Sequence, residues 1–490
     1  MIRTSQATLG FSCWRFLCLF AWLSCWEQTP STVVASQPDE KPNIVLILVD
    51  NCGKEWFGCY GSKELATPAI DRLAAEGALF QTCYTVPICG PSRAMLLTGR
   101  YPHRTGWTIH HDAALYRGGG LDPTRELTVA RPLLAAGYRT AVVGKWQIDN
   151  LYDHPSVLRE HGFERWCVWP GSIDRERMNP IEFQDFMQAV ETRNSEQVLA
   201  LNRGIESRYW DPVLNIDGKV QRFSGAFGPD RCQDFARQFI QTHVDHPFFL
   251  YYPMVLTHGI SMKQPVVGVP PHRQPLGTDI EGYREMVRYV DKQVAELVEH
   301  LESLQIRRKT LLILATDNGS ESLFHAGFRG HTLAGGLYTT RESGINVPLI
   351  FHWPGTIAAG LRGRLSDFTD LFPTICDFAG VPLPKGTIID GHSHRPFLVG
   401  EAEAQPGKPF ALTQHHRDRV ARFGNFKLHS DGRFYRIEDE LIEFPLNPEQ
   451  LTPAAAAAYR DLSDYLQQLP EDAVLPFERR SITAFQWGVK

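Results

Sequence analysis

The sequence predicts an α/β fold: a large, mostly parallel sheet sandwiched by helices, followed by a small C-terminal α+β subdomain. Three observations lead there. Short apolar runs alternate with helical patterns from residue 43 to about residue 380. The first of these runs, 43–49, shows no polar alternation, as expected of a strand buried on both faces of a parallel sheet. After about residue 400 the alternation weakens, and a strand–turn–strand pattern and an Ala-rich segment take over.

The elements follow in order. Thr67-Pro68, then Ile70, Leu73 and Ala74, then Gly77, predict a short helix with an N-cap, a first-turn proline and a glycine stop. Residues 138–143, 248–252, 310–315 and 347–353 read as further strands. Between the second and third of these, Tyr283, Val287, Val290, Val294, Leu297, Leu301 and Leu304 recur at steps of four and three, the mark of a core-facing helix. Residues 153–230 carry no clear period and read as a loop-rich insertion. Residues 423–435 read as strand, turn and strand around Asp431-Gly432, and 454–469 as a helix. The expected organisation is a leader at 1–35, a catalytic domain at 40–400 and a subdomain at 401–490. In open α/β sheets, ligands bind outside the carboxyl ends of the strands.

Composition narrows the function. The chain has 490 residues, 43% of them hydrophobic, with 50 Lys+Arg against 55 Asp+Glu. A disordered chain is excluded, and the near-neutral balance offers no electrostatic footprint for nucleic acid. Arg3 and Arg15 precede the apolar run 16–23, and Val33-Val34-Ala35 gives a small-residue exit, the pattern of a secretory signal. That run is shorter than the roughly 20 apolar residues a bilayer span needs, and no longer one follows. The mature protein is therefore expected to be exported, with no stable membrane span. Seven cysteines lie beyond the leader without a CxxC pair, which argues against zinc. Their odd number leaves at least one unpaired thiol, read here as Cys89.

Asp50-Asn51 ends the first strand, and Asp317-Asn318-Gly319 ends the 310–315 strand. Two carboxylates and two amide oxygens at strand ends suit a hard divalent cation, although each pair alone also reads as a turn or helix cap. The stretch Cys89-Gly90-Pro91-Ser92-Arg93-Ala94-Met95-Leu96-Leu97-Thr98-Gly99-Arg100 says more. Pro91 and Ser92 open a helix that Gly99 ends. Cys89 then stands at a helix N-terminus, where backbone N–H groups favour an anion, and Arg93 adds a planar cation one turn on.

That stretch resembles the Cys-x-Pro-Ser-Arg-x-x-x-Leu-x-Gly-Arg signature of the type I sulfatases of the alkaline phosphatase superfamily, matching at every fixed position. Lys41-Pro42-Asn43-Ile44, Gly137-Tyr138-Arg139-Thr140, Gly144-Lys145-Trp146, Asp317-Asn318-Gly319 and Trp353-Pro354-Gly355 are similar to the same family. The resemblance implies an alkaline-phosphatase-like fold and hydrolysis of a sulfate ester, a sulfated carbohydrate above all. It implies that a maturation enzyme oxidises Cys89 to formylglycine, whose hydrate is the nucleophile. Calcium is implied at Asp50, Asn51, Asp317, Asn318 and the Cys89-derived group. Arg93 and Lys145 are implied to neutralise the sulfate, and His258 to protonate the leaving alcohol.

Three positions depart from the family pattern: Asn51 stands for a second aspartate, Gln147 for a histidine and Leu337 for a lysine. Gln147 cannot serve as a base for sulfate release, and Leu337 removes a cation. His110, His111, His331 and Arg341 are the nearby candidates to compensate. Two other readings remain open from sequence: a phosphate or phosphonate ester hydrolase of the same superfamily, and a non-catalytic binder of sulfated glycans. The only Asn-x-Ser/Thr acceptor beyond the leader is Asn318-Gly319-Ser320. Glycosylation there would block a metal ligand, which favours a bacterial periplasmic or secreted protein over a lysosomal one.

Overall fold

The computed structural model describes residues 41–110, 120–171, 208–258, 280–401 and 407–474. The predicted leader and His111 lie outside the described residues. Ten strands form the main sheet. They are β1 (Asn43–Val49), β2 (Ala78–Tyr84), β3 (Arg139–Lys145), β4 (Arg165–Trp169), β5 (Val213–Ile216), β6 (Lys219–Arg222), β7 (Phe248–Pro253), β8 (Thr310–Thr316) and, after a hairpin of β9 (His325–Phe328) and β10 (His331–Ala334), β11 (Leu349–His352) and β12 (Gly360–Asp367). Their order is β12-β2-β11-β8-β1-β7-β3-β4-β5-β6.

The five central strands, β8, β1, β7, β3 and β4, are all parallel. Both flanks depart from that rule. β11 runs antiparallel to β2 and β8, and β5 and β6 are antiparallel additions. β4, β5 and β6 fall within the segment read as loop-rich. Their runs are only four or five residues long, and β6 (Lys-Val-Gln-Arg) is exposed throughout, so no apolar period marks it.

Both faces of the sheet are covered, which is why the central strands are apolar without alternation. Ile44, Leu46 and Leu48 join one apolar cluster, while Val45, Ile47 and Val49 join the other. The second face is closed by α1 (Pro68–Glu76), α3 (Gly228–Thr242) and α4 (Ile280–Ser303). The first face is closed by α2 (Cys89–Thr98) and α5 (Leu371–Phe378). Each large side chain buried this way contributes about 1.5–3 kcal/mol. The predicted N-cap of α1 takes another role: Thr67 Oγ1 accepts from the Gly58 N–H at 3.1 Å and donates to Asp71 at 3.0 Å.

The C-terminal sheet is a meander of β13 (Ala411–His415), β14 (Asp418–Phe423), β15 (Phe426–His429), β16 (Phe434–Glu438) and β17 (Ile442–Leu446). Helix α6 (Pro453–Gln468), capped by the Thr452 hydroxyl, packs on it. Leu412, Ala421, Leu428 and Leu462 join the apolar cluster of the main sheet. A buried ion network adds a second tie. Glu342 meets Arg422 at 2.8 Å, Lys427 at 3.4 Å and the Tyr84 hydroxyl, and Lys54 meets Glu440 at 3.2 Å.

Candidate active site

The parallel core delivers chemistry to one edge. β1 runs straight into Asp50, β8 into Asp317, and β3 ends on Lys145. Asp50, Asp317, Lys145 and Arg93 are all fully buried. The Lys145 ammonium donates to both Asp50 oxygens, at 2.7 and 2.9 Å. Gly144 allows that placement: its φ is +117°, and a Cβ there would lie 1.9 Å from the Pro253 carbonyl oxygen. Helix α2 places Cys89 as its first residue and stops where Gly99 turns left-handed at φ 65°. One turn on, Arg93 donates to Asp317 at 2.6 Å and to the Lys145 carbonyl, and lies 3.5 Å from Asp50.

Asn51 sits at φ 55°, a left-handed conformation that asparagine tolerates. Its N–H donates to Asp317 Oδ1 at 2.9 Å, and its side-chain oxygen accepts from Asn318 Nδ2 at 2.7 Å. Cys89 Sγ lies 3.2 Å from that oxygen and 3.4 Å from Asp50 Oδ1. Asp50, Cys89 and Asp317 bring ligand atoms within 4.8 Å of one another. Asn318 Oδ1 is buried and has no hydrogen-bond partner among the described residues. A buried oxygen without a donor, beside two carboxylates and a second amide oxygen, is the donor set of a hard dication.

His258 reaches the cluster from the loop after β7. The Thr257 N–H donates to the Asp50 carbonyl and the Asp50 N–H to the Leu256 carbonyl, each at 2.8 Å. His258 Nδ1 is buried without a hydrogen-bond partner among the described residues. The structure thus brings together Asp50, Asn51, Cys89, Arg93, Lys145, His258, Asp317 and Asn318.

Electrostatics follow from this packing. Burial alone would raise the Asp50 carboxyl, but Lys145, His258, Arg93 and Arg208 outweigh it and hold the group well below the usual carboxylate range. Burial and the charge of Asp50 push Asp317 up to about 6; a dication between the two would reverse that. Burial pushes the Cys89 thiol well above its ordinary value. Burial, Lys145 and Arg208 push His258 well below its own.

Three residues at the site escaped sequence reasoning. Arg208 lies 3.6 Å from Asp50 Oδ2, its guanidinium stacked 4.0 Å over the Trp169 ring; it stands in the aperiodic 153–230 stretch, where no pattern marks it. Glu321 follows the Asp-Asn-Gly turn, and burial together with Asp50 pushes it up to about 7. Tyr338, at φ 66°, feels the charges of Glu321, Cys89 and Asp50. Leu337 is buried and holds the Ser320 carbonyl through its N–H at 3.0 Å. Gln147 adopts φ 66°, with its Oε1 buried and without a hydrogen-bond partner among the described residues. Of the compensating candidates, His110 interacts electrostatically with His258, His331 is exposed on β10, and Arg341 is exposed beside the C-terminal sheet, where it does not replace the missing cation.

A family model described as Sulfatase matches residues 42–381. This chain belongs to the sulfatase family. It is a type I sulfatase of the alkaline phosphatase superfamily, and hence a sulfuric ester hydrolase. Human arylsulfatase A is 32% identical over 400 residues, covering 79% of this sulfatase and 74% of that protein. Mouse N-acetylgalactosamine-6-sulfatase is 34% identical over 384 residues, covering 75% and 68%. Among solved structures, Ps i-CgsB in complex with k-i-k-neocarrahexaose is 25% identical with a TM-score of 0.66, covering 88% of this sulfatase and 92% of that chain. No helix among the described residues is long and apolar enough to cross a membrane.

Proposed function

We propose that this sulfatase hydrolyses sulfate esters of carbohydrates through a formylglycine made from Cys89 and a calcium ion held by Asp50, Asn51, Asp317, Asn318 and the Cys89-derived group. The observation that carries this reading is Cys89 itself, buried at the start of α2 within 3.4 Å of Asp50 and Asn51 and one turn from Arg93. As a thiol with a raised pKa it is a poor nucleophile. An aldehyde hydrate at that position would supply two hydroxyls, one to attack sulfur and one to release sulfate. Calcium, when bound, would supply positive charge to the sulfate oxygens.

The remaining roles belong to this chain's own side chains. Arg93, Lys145 and Arg208 set three cations against the carboxylates of Asp50 and Asp317, a balance that favours an anionic substrate. Water-excluded cations of this kind are worth about 2.7–4 kcal/mol each in a transition state. His258 delivers a proton to the leaving oxygen. Lys145 and Arg208 suppress its proton affinity, and an arriving sulfate offsets those same charges. Gln147 offers an amide, which orients by hydrogen bonding and removes no proton.

Carbohydrate as the substrate class is supported by the mouse N-acetylgalactosamine-6-sulfatase and by the oligosaccharide complex of Ps i-CgsB. Export, with bacterial origin favoured, is supported by the leader at 1–35 and by the burial of Asn318 in the only glycosylation acceptor beyond that leader. The same reading includes a maturation enzyme as partner, and a division into a catalytic domain at 40–400 and a subdomain at 401–490. Mass spectrometry of the Cys89 peptide from protein matured in a formylglycine-competent host tests the proposal. The expected peptide is lighter by the difference between CH2SH and CHO, and Cys89→Ser loses turnover while staying folded. An unmodified Cys89 in protein that turns over sulfate esters would overturn it.

A further inference from the structure

A cavity of about 340 Å³ opens where the 338–341 segment meets the C-terminal sheet. That is within the size range of small-ligand sites. Its two acids are already engaged. Asp418 is met by His429 at 3.0 Å, Arg433 at 3.1 Å and the Thr340 hydroxyl at 2.7 Å. Glu443 accepts from the Lys427 ammonium and from the Glu342 N–H at 2.9 Å.

Three groups on its wall remain to meet a ligand. The Arg341 guanidinium is exposed and has no ion-pair partner among the described residues. His415 Nε2 is buried without a hydrogen-bond partner among the described residues, and burial pushes the ring down to about 4, so it is neutral at physiological pH. Tyr338 leaves 42% of its surface open. One uncommitted cation, one neutral ring nitrogen and an aromatic face suit a polyhydroxylated ring carrying one acidic group. They do not suit an apolar ligand.

The cavity adjoins the active site at two points. Tyr338 lines it, and its N–H donates at 2.8 Å to the carbonyl of Pro87, two residues before Cys89. Next to His415, the His416 N–H donates to the Thr108 carbonyl at 2.7 Å, in the loop that carries Trp107 beside Gly90.

We propose that this cavity is a subsite for the sugar adjoining the sulfated one, and that Arg341 selects a sugar bearing a carboxylate or second sulfate while His415 holds one of its hydroxyls. The proposal rests on the sulfatase reading above and deepens it to an acidic glycan with anionic groups on neighbouring sugars.

Paired substrates test it. Tetrasaccharides of chondroitin 6-sulfate and heparan sulfate are compared with their carboxyl-reduced counterparts, and iota- with kappa-carrageenan tetrasaccharide. At least one charged member should show a kcat/KM about tenfold above its less charged partner, the scale of one charge-assisted contact. Arg341→Gln should erase that preference, and His415→Ala should raise KM for both members of the pair alike. Turnover of 4-nitrophenyl sulfate, too small to reach the cavity, should stay within about twofold in both variants. Absence of a preference in the wild type, or its survival in Arg341→Gln, would overturn the subsite. Failure of the wild type to turn over any of these sulfate esters would instead indict the chemistry at Cys89. Calorimetry with the same oligosaccharides would still read the charge preference in that case.

Discussion

Lys145→Met is the most informative single change at the site. Lys145 is fully buried, and its ammonium bonds both oxygens of Asp50 at 2.7 and 2.9 Å. Methionine keeps most of the volume and removes the charge. Breaking one side of a buried pair costs about 3–5 kcal/mol, because the remaining charge is left uncompensated. Here Arg93 and Arg208 stay 3.5 and 3.6 Å from Asp50, which places the loss near the lower end, about 3 kcal/mol.

The pH dependence fixes the cause. In the wild type, Asp50 is depressed below its unfolded value, so its stabilisation is present above a pH of about 4 and is lost as pH falls further. Without Lys145, burial is opposed by fewer cations and the carboxyl rises. A raised carboxyl contributes stability below the unfolded pKa and loses it as pH climbs through the folded one. The gap in Tm between the two proteins should therefore be wide at pH 7.5 and narrow towards pH 4. Thermal unfolding followed by tryptophan fluorescence, in chelator so that no dication stands in for the ammonium, measures that gap. A gap that does not change with pH, or a variant as stable as wild type at pH 7.5, would refute the assignment of Lys145 as the counter-ion of Asp50. In calcium, kcat for a sulfate ester should also fall about 10²–10³-fold.

Other changes probe the remaining roles. Calcium should raise Tm in a concentration-dependent way, and Asn318→Ala, which removes the unpartnered Oδ1, should weaken calcium at least about tenfold by fluorescence titration. His258→Asn should slow alkyl sulfates by about 10²–10⁴-fold and aryl sulfates much less, because only the poorer leaving group needs the proton; equal losses on both would argue against an acid role. Gln147→His should raise the steady rate if sulfate release lacks a base, and since histidine tolerates the φ of 66° found there, the backbone cost is small. A lower steady rate in that variant would assign the task to another group.

Several features of this protein were legible in sequence because they are local. An unbroken apolar run such as 43–49 can be satisfied only between two covered faces, so the parallel centre of the sheet followed from pattern alone. The stripe from Tyr283 to Leu301 shows α4 for the same reason, since a period of 3.6 defines one buried face. The string from Cys89 to Arg100 holds its own geometry, with Gly99 ending α2 and Arg93 one turn after Cys89. Non-local features were decided by the tertiary structure. The antiparallel strands β5 and β6 are too short for a period to emerge, and the direction of β11, itself legible as a strand, depends on the strands it meets. Arg208 and Tyr338 reach the cluster only because separate loops converge at the carboxyl ends of the central strands. Nothing in sequence marks Glu342 for its partners Arg422 and Lys427, which lie about 80 residues on, in the C-terminal sheet. Charge pairing of that kind is set by distance in space, on which spacing along the chain is silent.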